Sequence, residues 1–329
     1  MGGDQAVRSF PSPSTGVAGE GHEGSGRVLV ITGPTAVGKS ALALELAARL
    51  NGEIVSADSR QVYRYMDVGT AKPTVAERAA VPHHMIDVVY PNEPYSVETF
   101  RRGATRAVAG IFAQGHLPLV VGGSPHYIQA LVDGLRPPPR HPALRAWIER
   151  VDASGPPDRL DTWLHALDPE AAGTIDARNR RRVVRAIEVV LLTGRRFSDV
   201  GRRRDPPLPG RFVGLRLDRP RLYERVRARI ASMVRDGWVE EVRMLLAMGY
   251  SPDLPAMSAT GYAELARAIR GQTTLEEALG RVELATHAFI RQQETWLRRD
   301  PRIQWFDADE TDLVARVLGL LTAGPSTSN

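Results

Sequence analysis

Eight consecutive residues, Gly33-Pro34-Thr35-Ala36-Val37-Gly38-Lys39-Ser40, limit what this chain can become more than any other feature. They fit G-x-x-x-x-G-K-[ST], the phosphate-binding loop. The β-branched run Val28–Thr32 precedes them, and Ser40–Leu50 follows with Leu42, Leu46 and Leu50 on one helical face. A strand, a glycine-rich turn and a helix in that order turn successive backbone N–H groups toward an anion, and the positive end of the helix adds to them. All eight residues are therefore candidate phosphate binders. Lys39 reaches the outer phosphate, and the Ser40 hydroxyl is the candidate ligand for Mg²⁺.

The rest of the chain reads as α/β. Glu53–Ala57 and Leu117–Val121 are further short apolar strands separated by helical stretches, the pattern of a parallel sheet covered on both faces, a P-loop NTPase-like core. Arg136-Pro137-Pro138-Pro139-Arg140 interrupts this pattern with a stiff linker. From Pro142 to about Val200 the segments read as helices without a strand, and Pro206-Pro207-Leu208-Pro209 closes them off. Phe212–Leu217 then resumes the strands, followed by a long amphipathic stretch, Arg219–Met248. The expected organisation is a catalytic core over 27–135 and 208–322, an all-helical insertion over 136–207, and disordered segments at 1–26 and 323–329, which are rich in Gly, Ser and Pro.

Of the 43 basic residues only Lys39 and Lys72 are lysines, so arginine abundance by itself says little about nucleic acid. Its distribution says more: residues 136–207 hold 15 arginines against 10 acidic residues, an excess equal to the +5 of the whole chain. Cysteine is absent, which excludes disulfides, thiolate metal sites and a cysteine nucleophile. No apolar run approaches the roughly 20 residues of a membrane span, and no secretory signal is visible, so the expected location is the cytoplasm.

Nucleoside triphosphate enzymes with this loop need a carboxylate at a strand end to hold their metal. Here the only carboxylate well placed after an early strand is Asp58, in Ile54-Val55-Ser56-Ala57-Asp58-Ser59, while Leu117–Val121 runs into Gly122-Gly123-Ser124 without an acid. That departs from an ordinary ATPase.

Asp58-Ser59-Arg60-Gln61-Val62-Tyr63 continues into Met66-Asp67-Val68-Gly69-Thr70-Ala71-Lys72-Pro73, then Pro82-His83-His84 and Ile86-Asp87. Arg182-x-x-Arg185-Ala186-Ile187-Glu188-Val189, Gly237-x-x-x-Glu241-Val242, Gly261-Tyr262 and Arg291-Gln292-Gln293-x-Thr295-Trp296-Leu297-Arg298 follow. With the phosphate loop ahead of them, these motifs resemble the tRNA dimethylallyltransferase family from about Val28 to Phe306. The resemblance implies transfer of a dimethylallyl group from dimethylallyl diphosphate to N6 of adenosine 37 in the tRNA anticodon loop, giving N6-isopentenyladenosine and diphosphate. It also implies a monomer.

This chemistry fits the residues. The phosphate loop would hold a diphosphate leaving group, whose growing charge Lys39, the loop amides and Mg²⁺ on Ser40 would stabilise. Adenine N6 is a poor nucleophile, and Asp58 is the candidate base for its proton. Ser124 stands where the family usually has threonine, and the resemblance gives its hydroxyl a place at the reaction centre. Pro125-His126 departs from the usual small or apolar residues there; His126 reads as a surface histidine. Arg225 and Arg229 share a helical face, and by resemblance Arg229 reaches the diphosphate.

The target adenine must leave its stack to be reached. By resemblance Asp58, Ser59, Arg60, Gln61 and Ser124 touch the extruded base and its neighbours, and Arg145, Arg182 and Arg185 of the insertion grip the anticodon stem and loop. Gln292 stands where the family often has arginine, and Ser258-Ala259-Thr260 lacks a basic residue that some relatives carry. Trp296 and Leu297 read as core. Two other activities stay open from the residues: an ATP phosphotransferase, which leaves the insertion and Gly122-Gly123-Ser124 without a purpose, and prenyl transfer to free adenosine phosphates by shorter enzymes without such an insertion.

Overall fold

The computed structural model describes residues 27–200 and 204–322; the leader and tail expected from composition lie outside the described residues. Alternate residues of Val28–Thr32 (β1) face opposite sides of a sheet and all five are buried: Leu29 and Ile31 enter one apolar layer, Val28 and Val30 the other. That two-sided burial makes β1 a central strand. Around it Gly52–Ser56 (β2), His83–His84 (β3), Leu117–Val121 (β4), Gly210–Arg216 (β5) and Ile303–Asp307 (β6) form a six-stranded sheet in the order β3-β2-β4-β1-β5-β6. Every pairing is parallel, as the sequence implies. β3 and β6 were not legible beforehand: the first has two residues, and the second is a five-residue edge strand only partly buried.

Helices Lys39–Leu50 (α1), Val75–Ala80 (α2), Val97–Ala113 (α3) and Pro125–Val132 (α4) connect the early strands. Leu42 and Leu46 of α1 pack on one face of the sheet, and Phe100, Val108 and Ile111 of α3 with Ile128 and Leu131 of α4 on the other. Next come Pro142–Ala153 (α5), Arg159–Leu167 (α6), Pro169–Thr174 (α7), Arg180–Thr193 (α8) and Phe197–Val200 (α9). Among the described residues this stretch contains no strand, and it has an apolar cluster of its own around Ile148, Leu160, Leu164 and Ile187. Its entry and exit run side by side, with Asp205 N–H donating to the Gly134 carbonyl at 2.7 Å and Leu208 N–H to Val132 at 2.8 Å. Arg101 and Arg136 both pair with the Asp205 carboxylate at that stem.

After β5 the expected single amphipathic stretch is two helices, Arg219–Arg235 (α10) and Trp238–Ala247 (α11). Gly237 breaks them with φ +97°, a left-handed turn that glycine adopts at little cost. Tyr262–Ile269 (α12), Leu275–Leu297 (α13) and Leu313–Thr322 (α14) complete the chain. Trp238, Tyr262, Leu265 and Val282 of these helices enclose Tyr63 and Met66 in a third apolar cluster beside the sheet's carboxyl edge.

Candidate active site

In an open parallel sheet, ligands bind beyond the carboxyl ends of the strands. The strand order brings three of these ends together, because β4 lies between β2 and β1. The phosphate loop follows β1, Asp58 follows β2 and Gly122-Gly123-Ser124 follows β4, so motifs far apart in sequence become adjacent turns. The approach is close: a Cβ on Gly122 would stand 2.2 Å from the Ala57 carbonyl oxygen, and one on Gly123 would stand 2.3 Å from Gln293 Nε2. These two positions need glycine because backbone and a buried side chain occupy the space.

Around the turns lies a cavity of about 480 Å³. Thr35, Lys39, Asp58, Ser59, Arg60 and Ser124 line it together with Arg229, so the candidate phosphate, base, hydroxyl and arginine residues share one space. Gln292 and the Ser258-Ala259-Thr260 turn are on its wall too. Apolar side chains line it as well: Val226, Ile230 and Met233 of α10, Val282, Ala285 and Phe289 of α13, and Trp238.

Lys39 is half-buried and its ammonium donates to the carbonyls of Gly33 (3.0 Å) and Pro34 (2.7 Å). Burial, with the nearby Arg229 charge, lowers its pKa to about 8, partly opposed by Asp58. Burial likewise lowers the pKa of Arg229, again against Asp58. No carboxylate pairs with the Arg229 guanidinium among the described residues. Two cations therefore face one carboxylate across a partly desolvated space, an arrangement suited to an anion of more than one charge. Asp58 lines the cavity, and its Oδ1 accepts the Arg60 N–H at 2.8 Å, which orients the carboxylate. Ser124 caps α4 with Pro125 behind it at the first helical position, and its hydroxyl makes no hydrogen bond among the described residues.

The phosphate loop itself adopts the expected form. Gly33 has φ +148° and a Cβ there would lie 2.6 Å from the Leu215 carbonyl oxygen; Gly38 has φ +108° and starts α1. Pro34, Ala36, Val37 and Gly38 shape the loop without lining the cavity, while Ser40 lies exposed in the first turn of α1 with its hydroxyl unbonded among the described residues.

Other residues singled out from the sequence are placed elsewhere. The Gln61 amide accepts from the Ser56 hydroxyl at 2.8 Å and donates to the carbonyls of Thr70 (3.3 Å) and Ala71 (3.0 Å), so it fastens two loops and does not line the cavity. Arg225 donates to the Val37 carbonyl at 3.2 Å and pairs with Asp309, bracing the outside of the phosphate loop. Arg185 donates to the Pro138 and Pro139 carbonyls and pairs with buried Glu188, fixing the proline linker to α8. Arg145 pairs with Glu149. Arg182 is exposed, with no side-chain partner among the described residues. His126 meets Trp296 edge-on at 5.1 Å, and Leu297 is buried.

Three contributors were missed as individual residues, although motifs contained them. Buried Gln293 accepts the Thr35 N–H and donates to the Gly123 carbonyl, each at 2.9 Å. Glu241 accepts the N–H groups of Asp67 (2.6 Å), Val68 (2.7 Å) and Gly69 (3.2 Å) and the Tyr262 hydroxyl (2.6 Å). Lys72, wholly buried, donates to Asp67 and Asp87 carboxylates at 2.6 Å each. Their spacing in sequence signalled importance; only the fold shows that they hold the loops that carry the cavity wall.

Fold and site together define an α/β enzyme of the phosphate-loop class, with one carboxylate set against an anion site. The family model "IPP transferase" matches residues 61–300 and "Isopentenyl transferase" matches 26–86. The tRNA dimethylallyltransferases of Thermomicrobium roseum and Roseiflexus castenholzii are 46% and 48% identical, over 86% and 88% of this chain and 87% and 95% of theirs. Among solved structures, the tRNA isopentenylpyrophosphate transferase of Bacillus halodurans aligns with a TM-score of 0.67 at 35% identity, over 90% of this chain and 95% of that one. A eukaryotic dimethylallyltransferase acting on tRNA aligns with 0.76 at 27% identity, over 90% of this chain and 78% of its own. The chain belongs to the IPP transferase family.

Proposed function

We propose that this chain transfers the dimethylallyl group of dimethylallyl diphosphate to N6 of adenosine 37 in tRNA. The observation that carries the reading is the single cavity lined by Thr35 and Lys39 of the phosphate loop, Arg229, Asp58 and Ser124, together with apolar side chains of α10 and α13. The diphosphate would lie against the loop amides, Lys39 and Arg229, and the five-carbon group against Ile230, Met233 and Phe289. Breaking the C1–O bond leaves its electron pair on the diphosphate, where the two cations stabilise it. The N6 lone pair forms the new bond to C1, and the N6 proton passes to the Asp58 carboxylate. Ser124, beside Asp58, can hydrogen-bond the bridging oxygen.

A Mg²⁺ ion would accompany the diphosphate. Among the described residues no group of three or more His, Asp or Glu could hold a metal unaided. Mg²⁺ typically takes one or two protein ligands along with substrate phosphates and water, and the Ser40 hydroxyl, exposed in the first turn of α1, would supply one. When bound, the ion would neutralise charge on the diphosphate.

Exposed Arg182, and Arg145 on the neighbouring helix α5, suit the anticodon stem, whereas Arg185 supports the linker through internal bonds. Among the described residues no helix is long and apolar enough to cross a membrane. A tRNA acceptor argues for work in the cytoplasm. Incubation with Mg²⁺, dimethylallyl diphosphate and unmodified tRNA, then nucleoside digestion and mass spectrometry, tests the reading. N6-isopentenyladenosine should form with tRNA and not with AMP. Turnover of ATP without that product would favour the phosphotransferase instead.

A further inference from the structure

Tyr65 has φ +67°, a left-handed conformation that is an outlier for a bulky side chain. Its neighbours Tyr63 and Met66 are buried in the cluster around Trp238, and the left-handed turn between them directs the Tyr65 ring outward, where it is 37% exposed. Tyr90, 36% exposed, stands beside it with ring centroids 5.7 Å apart at 39°. Arg64 lies over the Tyr90 ring, 4.9 Å from its centroid, and donates to the Asp87 carbonyl (3.0 Å) and the Tyr90 hydroxyl (3.2 Å). The nearby acids are engaged elsewhere: Asp87 pairs with Lys72 and Arg78, and Glu93 accepts the Tyr90 N–H. The patch therefore presents two aromatic surfaces and a cation that no carboxylate neutralises among the described residues.

Its position relates it to the cavity. Arg60, four residues before Arg64, lines the cavity and donates to the Pro255 carbonyl at 2.9 Å; the segment from Pro255 continues to Ser258 on the same wall. Aromatic rings beside arginine, on the segment whose Arg60 lines the cavity, match the way unpaired nucleotides are held.

We propose that Tyr65, Tyr90 and Arg64 form a stacking platform for an unpaired loop nucleotide adjacent to the adenosine that enters the cavity. The inference rests on the tRNA acceptor reading above. The probe is a synthetic RNA anticodon stem-loop carrying 5-iodouridine in its loop, bound to the full chain and followed by anisotropy and by photo-cross-linking with peptide mapping. Tyr65→Gly and Tyr90→Ala should each weaken binding roughly 5- to 100-fold, with the KM for dimethylallyl diphosphate unchanged. Tyr65→Gly should melt no lower than the wild type, because glycine accepts the left-handed turn. Cross-links should map to the peptides of Tyr65 or Tyr90. Binding within twofold of wild type in both variants, with cross-links elsewhere, overturns the platform while leaving the acceptor reading intact. A wild-type chain that neither binds nor modifies the stem-loop overturns the acceptor reading itself.

Discussion

Gln293 joins the phosphate loop to the turn after β4: its side-chain amide accepts from Thr35, 258 residues earlier in the chain, and donates to Gly123. One buried amide thus sets the spacing between the phosphate loop and the turn that carries Ser124. Gln293→Ala strands the Thr35 N–H and the Gly123 carbonyl and opens a void. It should destabilise the fold by about 2–4 kcal/mol in urea titrations and raise the donor KM.

Glu241 plays the corresponding part for the loop over 67–69, which places Gly69 and Thr70 on the cavity wall. Glu241→Ala leaves three N–H groups without their acceptor and should cost about 3 kcal/mol. Tyr262→Phe removes one bond and should cost about 1–2 kcal/mol. Thermal unfolding of the two variants checks the ranking.

Lys39 is charged below its pKa of about 8 and neutral above it. kcat/KM for the anionic donor should therefore fall as pH rises through about 8, and the limb should move to higher pH in kcat, because bound diphosphate favours the cation. Stability should change the other way. Between about 8 and the ordinary 10.5 the unfolded chain holds a proton that the folded chain lacks, so unfolding becomes harder as pH rises there. Lys39→Met should remove both effects.

Arg229 and Arg225 lie one turn apart on α10 but do different work. Arg229 lines the cavity; Arg225 is tied to Val37 and Asp309 outside it. Arg229→Ala should lower kcat/KM for the donor by about 10²-fold, the order expected for losing a charge-assisted contact to phosphate. Arg225→Ala should lower it less than about tenfold, mainly through a looser loop. Steady-state kinetics of the pair decides between these roles.

The sheet's central strands, the phosphate loop and Asp58 were legible because each is a local signal: an apolar run, fixed glycines, a carboxylate at a strand end. Chain order alone does not show that β4 inserts between β2 and β1, and that insertion brings Ser124 to Asp58. Gln61 and Arg185 also make internal bonds that the sequence does not reveal, to Ser56, Thr70 and Ala71, and to Pro138 and Pro139. Composition shows that a donor exists; only packing shows which acceptor it meets. Edge strands β3 and β6 were missed because two residues, or five half-exposed ones, carry too little periodicity.

Asp58 is proposed to take the N6 proton within the cavity proposed for the donor diphosphate. Rapid-quench single-turnover measurements of Asp58→Asn, with saturating dimethylallyl diphosphate and prebound tRNA, test it most directly. The predicted result is N6-isopentenyladenosine formation slowed roughly 10²–10⁴-fold with tRNA affinity unchanged. Wild-type turnover in the variant would contradict the assignment.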